Sequence, residues 1–179
     1  MLNLQAVVGR EVSAKETVVV STGVVKAGNT AFNIIPESVE MNGTVRSFNP
    51  AVQDHVESAI RRVIAGACTI GRCDHSLEYK RFIPATINDA GVTAVVREVA
   101  EGLLGAENVK ETELIMGSED FSYYQRKIPG CFFLLGTGNA DKGTDTAHHH
   151  PRFNVDDDAL PSGVALLAGF AWSWLAKNR

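Results

Sequence analysis

The sequence predicts an α/β protein in two pieces: an α+β unit over residues 1–86, followed by an α/β piece over residues 87–179. Two observations support this prediction. Residues 38–48 alternate apolar and polar side chains, as expected of a strand with one packed and one solvated face in an antiparallel sheet. Residues 131–136 are instead continuously apolar, which is typical of a strand buried on both faces of an α/β sheet.

The first piece opens with one helical pattern and two strand patterns. Half of an apolar stripe in residues 1–10 predicts the last turns of a helix. The β-branched residues of 16–26 predict a strand, and the alternation over 38–48 predicts a second strand.

A helix and a third strand complete this piece. Asn49 is a favoured N-cap residue and Pro50 suits the first helical position, so a helix is predicted over 51–67. A third strand is predicted over 77–83. This order is that of a ferredoxin-like βαββαβ unit that lacks its first strand and most of its first helix.

The second piece combines helices with a long loop. An apolar stripe over 92–104 predicts a helix that stops at Gly105. Ser118 is predicted to cap a short helix that runs to Tyr124, and residues 138–158 form a polar loop.

Residues 160–175 predict a terminal helix that is apolar on most sides. The stretch is shorter than the ~20 residues of a membrane span, so we expect a buried core helix. Trp172 and Trp174 are expected to pack in that core. One stripe of the helix consists of Leu160, Val164, Leu167, Ala171 and Leu175.

Charge and cysteine usage limit the partners and the location. The net charge of −4 gives no general attraction to nucleic acid or to an anionic membrane, so neither is expected as a partner. Three irregularly spaced cysteines argue against a disulfide framework and suit reduced thiols. Residues 1–8 lack the basic start of a signal peptide, so we expect a cytoplasmic protein.

His149 is the strongest candidate for a metal ligand. It lies in a run of three histidines just before Pro151 and the acidic run 156–158. A catalytic zinc site needs about three protein ligands and an open position. Neither an HExxH motif nor a paired CxxC motif supplies them, so the pattern indicates part of a metal enzyme. A surface histidine or an affinity-tag element is the alternative.

Four stretches, in order along the chain, resemble one known family. It is the zinc-dependent amidohydrolase and peptidase family of aminoacylases, hippurate hydrolases, indoleacetyl-amino-acid hydrolases and related carboxypeptidases. The resemblance is strongest to the hippurate hydrolase and N-acyl-amino-acid amidohydrolase branch. The four stretches are Asn33-Ile34-Ile35-Pro36, residues 42–48 with Gly43-Thr44-Val45-Arg46, residues 116–124 with Gly117-Ser118-Glu119-Asp120, and residues 149–161.

The resemblance implies how the two pieces divide the work. Residues 1–86 correspond to a lid and dimerisation domain without its first strand, and 87–179 to the C-terminal portion of a catalytic α/β domain. The other metal ligands and the general base belong to an N-terminal half that these residues do not include.

The resemblance also implies roles for five residues. His149 aligns with the last metal ligand. Arg46 would bind the substrate carboxylate across the dimer, with an ordinary solvated arginine as the alternative. Asn33 would contact the scissile carbonyl or its oxyanion, or else serve as a turn residue. Gly117 and Ser118 would offer N–H groups to an anionic substrate group, or else act as helix caps.

Two functions follow from these expectations. The first is hydrolysis of the amide bond of a small N-acyl amino acid, with zinc or another divalent metal as cofactor and a homodimer formed through the lid. The second is a lid and dimerisation fragment that performs no chemistry of its own.

Overall fold

The computed structural model describes residues 1–28 and 31–177. Helices and strands are mixed, as predicted, and the chain divides into two compact units. The first unit holds residues 1–85 and 116–118. The second holds residues 86–115 and the chain from 119 onward.

The first unit contains an antiparallel hairpin of β1 (Val18–Ala27) and β2 (Val39–Ser47). The register shifts between Thr22 and Val24, which makes Gly23 the extra residue of a bulge. Opposite this bulge, any Cβ on Gly43 would collide with the carbonyl oxygen of Ser21.

The bulge keeps the apolar residues of β1 on one face. Val20 pairs with Val45 before the bulge, and Val25 pairs with Met41 after it. Without the extra residue, the period of two would turn Val25 to the opposite face. Both predicted strands are therefore confirmed.

Helix α1 (Pro50–Gly71) covers one end of this hairpin. The predicted cap is confirmed, since Asn49 Oδ1 accepts a hydrogen bond from the Ala51 N–H at 3.0 Å. The helix runs four residues beyond the predicted end at 67. The core of the unit consists of Val7, Val18, Val56, Ala59 and Ile60.

Helical turns at Leu2–Leu4 and Val7–Glu11 agree with the helical turns predicted in residues 1–10, and they pack on α1. His55 Nε2 lies 3.0 Å from the Glu11 carbonyl oxygen, and Arg62 pairs with the Glu11 carboxylate. His55 thus anchors the first turns to α1.

The predicted strand over 77–83 is wrong, because the sheet of the described residues contains only β1 and β2. Leu77 and Tyr79 still pack against the core of the unit. Arg81 fastens the segment by donating to Asp54 at 2.6 Å and to Glu57 at 2.7 Å, both on α1. A strand needs a neighbour for its backbone hydrogen bonds, and this segment is held through its side chains instead.

The second unit is built on α2 (Ala90–Leu104), α3 (Phe121–Gln125) and α4 (Leu160–Lys177). Asp89 Oδ1 caps α2 by accepting from the Val92 N–H at 2.9 Å. The predicted end at Gly105 is confirmed.

The prediction that Ser118 caps the short helix α3 is wrong. Asp120 occupies the N-cap position without a side-chain bond, and Glu119 Oε1 accepts from the Phe121 N–H at 3.1 Å. The carboxylate reaches the free N–H groups of the first turn from outside the helix. Gly117 and Ser118 are exposed.

The predicted strand over 131–136 is also wrong for the described residues. The Asn88 side chain takes the place of a neighbouring strand, because it accepts from the Phe132 N–H and donates to the Phe132 carbonyl, both at 2.8 Å. The segment is not buried on both faces either, since Leu134 is 57% exposed. The Asn88 amide thus bonds the two backbone groups of Phe132, as a neighbouring strand would have done.

Helix α4 packs on α2 through a face of small residues rather than through the predicted stripe. Leu166 is its only buried residue among those described, and Trp172 is 76% exposed, so the prediction of a buried core helix is wrong here. A Cβ on Gly169 would lie 2.9 Å from Val99 Cγ1 of α2, and a Cβ on Gly163 would lie 3.0 Å from Leu135. The missing side chains allow this close approach, which turns the larger apolar residues outward.

Among the described residues, the stretch Asp157–Lys177 has the length and the apolar composition of a membrane-spanning helix, with a mean hydropathy of 1.4. Gly169 packs on α2 and Leu166 is buried, so one side of this stretch is engaged within the second unit.

Replacing Gly169 with leucine should destabilise the second unit by about 1–3 kcal/mol, because the new side chain overpacks the contact with Val99. Gly102→Leu on α2 is the matched control, since no atom lies within 4 Å of a Cβ there. Urea unfolding followed by tryptophan fluorescence reports this unit, as both tryptophans lie on α4. Equal midpoints for the two variants would contradict the packing assigned to Gly169.

Candidate functional site

The loop over residues 138–158, which we call the histidine loop, is closed at its base by a polar clamp. Asn139 Nδ2 donates to Asp156 Oδ2 at 2.7 Å, and Lys142 Nζ donates to Asp156 Oδ1 at 2.7 Å and also pairs with Asp158. The Asp156 N–H donates to the Thr137 carbonyl at 2.9 Å. The two ends of the loop are therefore joined through one carboxylate.

A buried threonine adds to this clamp. Thr144 is 8% exposed, and its N–H donates to the Asn139 carbonyl at 2.9 Å. Its Oγ1 accepts from the Asn139 N–H at 3.1 Å. These two hydrogen bonds between Asn139 and Thr144 fix the turn 139–144.

Charge pairing in the clamp shifts two pKa values in opposite directions. The hydrogen bond from Lys142, followed by that from Asn139, lowers the pKa of Asp156 below its ordinary value. The hydrogen bond to Asp156 is the largest cause, and that to Asp158 the second, of the rise in the pKa of Lys142 to about 12. Asp156 loses its charge as pH falls through its lowered pKa, and Lys142 loses its charge as pH rises through about 12. The ion pair is therefore complete across the neutral range.

The tip of the loop is a tight turn with His149 at its strained position. The His150 N–H donates to the Ala147 carbonyl at 3.1 Å, and His149 has φ of +67°. A positive φ at the third residue of such a turn is usually left to glycine or asparagine. Strained non-glycine residues cluster at functional sites, so the backbone marks His149 independently of its side chain.

The neighbouring histidines have different surroundings. The ring centroids of His148 and His149 lie 4.0 Å apart, and His148 also meets Phe153 edge-on at 5.2 Å. His150 Nδ1 accepts from the Arg152 N–H at 3.1 Å, which places the proton of its neutral ring on Nε2. A ring with Nδ1 engaged and Nε2 protonated has no lone pair for a metal. His149 is thus a better ligand than His150.

The described residues do not assemble a complete metal site. Within residues 1–28 and 31–177, no three His, Cys, Asp or Glu side chains come together as metal ligands. Cys73, Asp74 and His75 are consecutive in the sequence. This local Cys-x-His triplet does not gather a third ligand among the described residues.

Arg46 and the Gly117-Ser118 segment are brought together within the first unit. Arg46 stands on β2, opposite Val19, and its Nη1 donates to the Met116 carbonyl. The side chain therefore reaches the residue directly before Gly117. The sequence placed these two motifs 70 positions apart and gave no signal that they touch.

Asn33 lies in an exposed turn of the first unit. The Ile34 N–H donates to the Ala31 carbonyl at 3.3 Å, which closes the turn around Asn33. Its apolar neighbours project into solvent, with Phe32 fully exposed and Ile35 92% exposed. The structure thus supports the role of a turn residue, and the turn also displays the Asn33 amide.

Residues 4–173 match the model of peptidase family M20/M25/M40. The chain belongs to this family. The IAA-amino acid hydrolase ILR1-like 4 of Arabidopsis thaliana is 34% identical to it over 181 residues, covering 99% of this chain and 41% of that protein. The thermostable carboxypeptidase 2 of Saccharolobus solfataricus is 33% identical over 169 residues, covering 92% of this chain and 42% of that protein.

A solved structure gives the same assignment for the fold. The YXEP protein of Bacillus subtilis, described as a dinuclear metal binding peptidase from the M20 family, superposes with a TM-score of 0.76 at 34% identity. The match covers 93% of this chain and 44% of that protein. The chain therefore spans well under half the length of the relatives it matches, and its fold is that of part of an M20 peptidase.

Replacing Lys142 with methionine should raise the pKa of Asp156 toward its ordinary value, because the first cause of the lowered pKa is removed. NMR titration of the Asp156 carboxyl carbon measures the change directly. Lys177→Met, which removes a charge that pairs with Glu98, serves as the control. A similar Asp156 midpoint in wild type and Lys142→Met would contradict the clamp.

Proposed function

We propose that this chain is part of a metal-dependent hydrolase that cleaves the amide bond of a small N-acyl amino acid. The observation that carries the proposal is the strained turn at His149, held at the tip of a clamped loop in a chain of the M20 family. The hydrolase and carboxypeptidase relatives support an amide bond as the bond that is broken.

His149 is the residue we assign to the metal. It is an exposed imidazole in the histidine loop, and a neutral imidazole is a good ligand for zinc and similar divalent ions. When bound, such a metal supplies an acidified water as nucleophile and polarises the amide carbonyl. Because the described residues offer one ligand position, the remaining ligands and the general base come from the part of the enzyme that the relatives have in addition.

Arg46, Gly117 and Ser118 are assigned to the carboxylate of the substrate. Arg46 Nη1 donates a hydrogen bond to the Met116 carbonyl oxygen. The other N–H groups of the guanidinium remain as donors, and their fork-like arrangement matches the two oxygens of a carboxylate. The exposed N–H groups of Gly117 and Ser118 follow that carbonyl and have no partner among the described residues. An anion held by Arg46 would therefore lie beside two further backbone donors.

Asn33 is assigned to the scissile carbonyl. Its amide N–H can donate to the oxygen on which negative charge develops. The exposed turn that carries it, with Phe32 and Ile35 on either side, is suited to enter a site formed with other residues.

A module without catalysis is the second candidate. It is favoured by the coverage of 41–44% of each relative and by the single ligand position among the described residues. In that case the chain would associate through its lid and bind neither metal nor substrate tightly.

Removing His149 in a full-length hydrolase that carries this segment should lower metal content and turnover together, because a ligand is lost. Metal analysis and N-acetyl and N-benzoyl amino acid hydrolysis measure the two effects. His75→Ala is the control, as an exposed histidine of the first unit outside the histidine loop. The chain alone should show no chelator-sensitive hydrolysis. Full metal occupancy with normal turnover in His149→Ala would refute its role as a ligand.

Arg46→Ala should weaken recognition of the substrate carboxylate by about 1.5–3 kcal/mol, or roughly ten- to a hundred-fold in kcat/KM. Arg46→Lys should rescue only in part, because the planar fork is lost. Esterified substrates, which lack the carboxylate, should respond little to either variant. Equal losses on free-acid and esterified substrates would show that Arg46 acts elsewhere.

A homodimer formed through the lid completes the proposal. The chain exposes 13642 Å² in total, whereas two separate compact units of half its 19.3 kDa would expose only about 10,000 Å². Part of the excess lies on the hairpin end away from α1, where Val25 is 51% and Val39 54% exposed beside unpaired strand edges.

We expect light scattering of the purified chain at micromolar concentration to show a dimer or larger species. Val25→Lys, which places a charge in the exposed hairpin, should shift the distribution toward monomer. Glu40→Lys, at an exposed polar position of β2, is the control for added positive charge. A sharp monomer peak for the unaltered chain would refute association.

A further inference from the structure

Helix α1 ends in a backbone motif that brings two cysteines together. Arg72 adopts the left-handed conformation with φ of +52°. Its N–H donates to the Thr69 carbonyl at 3.3 Å, and the Cys73 N–H donates to the Cys68 carbonyl at 3.0 Å. This pair of bonds defines a Schellman motif, in which the side chains of the two outermost residues commonly meet. Here those residues are Cys68 and Cys73.

The hydrogen bonds of this motif make the two cysteines neighbours at the helix end. Cys73 is exposed and its Sγ lies 3.8 Å from the Cys68 carbonyl oxygen, while Cys68 is half-buried. A hydrogen bond with Cys73 is the main cause that raises the pKa of the Cys68 thiol. Cys73 is the more exposed of the two thiols, so a small molecule in solution reaches it first.

We propose that Cys68 and Cys73 form a reversible disulfide by exchange with a small-molecule disulfide. The Cys73 thiolate attacks one sulfur of that molecule, the sulfur–sulfur bond breaks, and one small thiol leaves as its thiolate. Cys68 then loses its proton to water and attacks Cys73 Sγ, which displaces the second small thiol. One disulfide is reduced to two thiols, and the two protein thiols are oxidised to one disulfide.

The helix end determines which partner Cys73 takes. The chain reversal at Arg72 returns Cys73 over the last turn of α1, so four intervening residues separate the sulfurs along the chain while the backbone holds them adjacent. The disulfide would fasten this turn and hold Arg72 in a conformation that is unfavourable for a non-glycine residue. The disulfide would close a loop of six residues at an exposed helix end, so reductants could reach it.

The test treats the reduced chain with oxidised glutathione in the presence of a chelator, which keeps metal ions off Cys73 and His75. Free thiols should fall from three to one per chain. After alkylation of the remaining thiol, trypsin cuts behind Arg62, Arg72 and Lys80, so the disulfide should join peptides 63–72 and 73–80. In an unalkylated sample, dithiothreitol should restore all three thiols.

Two variants make the assignment specific. Cys131→Ser should still lose two thiols and give the same joined peptides. Cys73→Ser should give no such product, and its exposed position makes misfolding an unlikely source of that result. A glutathione adduct that persists on Cys73 while Cys68 stays free would overturn the proposal, as would pairing with Cys131 or disulfide-linked dimers as the main product.

Discussion

Every buried or half-buried backbone N–H and C=O group needs a partner, and in this chain polar side chains supply many of the partners that strands would otherwise provide. Asn88 bonds both backbone groups of Phe132. Arg46 takes the Met116 carbonyl, and Glu119 takes the Phe121 N–H. Gly117 and Ser118, which lie outside the sheet, stand in sequence between the contacts to Met116 and Phe121.

The same constraint accounts for the two strands that do not form. Residues 77–83 and 131–136 both contain aromatic and aliphatic side chains of the kind found in strands. Neither finds a neighbouring strand among the described residues, where the sheet consists of β1 and β2. Arg81 fastens the first segment to α1, and Asn88 fastens the second. Composition favours an extended backbone, but only a neighbour makes it a strand.

The proposed site follows from these local anchors. Lys142 and Asp156 close the histidine loop at its base, which allows the tip to hold His149 at a positive φ. Arg46 and the Gly117-Ser118 segment meet through the Met116 carbonyl. The loop and the Arg46 region belong to different compact units, and each is ordered by contacts within its own unit. Each unit therefore orders its own candidate residues.

The sequence by itself determined the local features of this protein. Asn49 and Pro50 begin α1, Gly105 ends α2, alternation defines β2, and four short motifs indicate the family, because each depends on residues adjacent in the chain. Only the tertiary structure decided which face of α4 packs and which residue Arg46 contacts. Leu167 and Leu175 suggested the packed face, but Gly169 allows α2 to approach most closely. Close packing and long-range hydrogen bonds join residues that are far apart in sequence, so no local pattern predicts them.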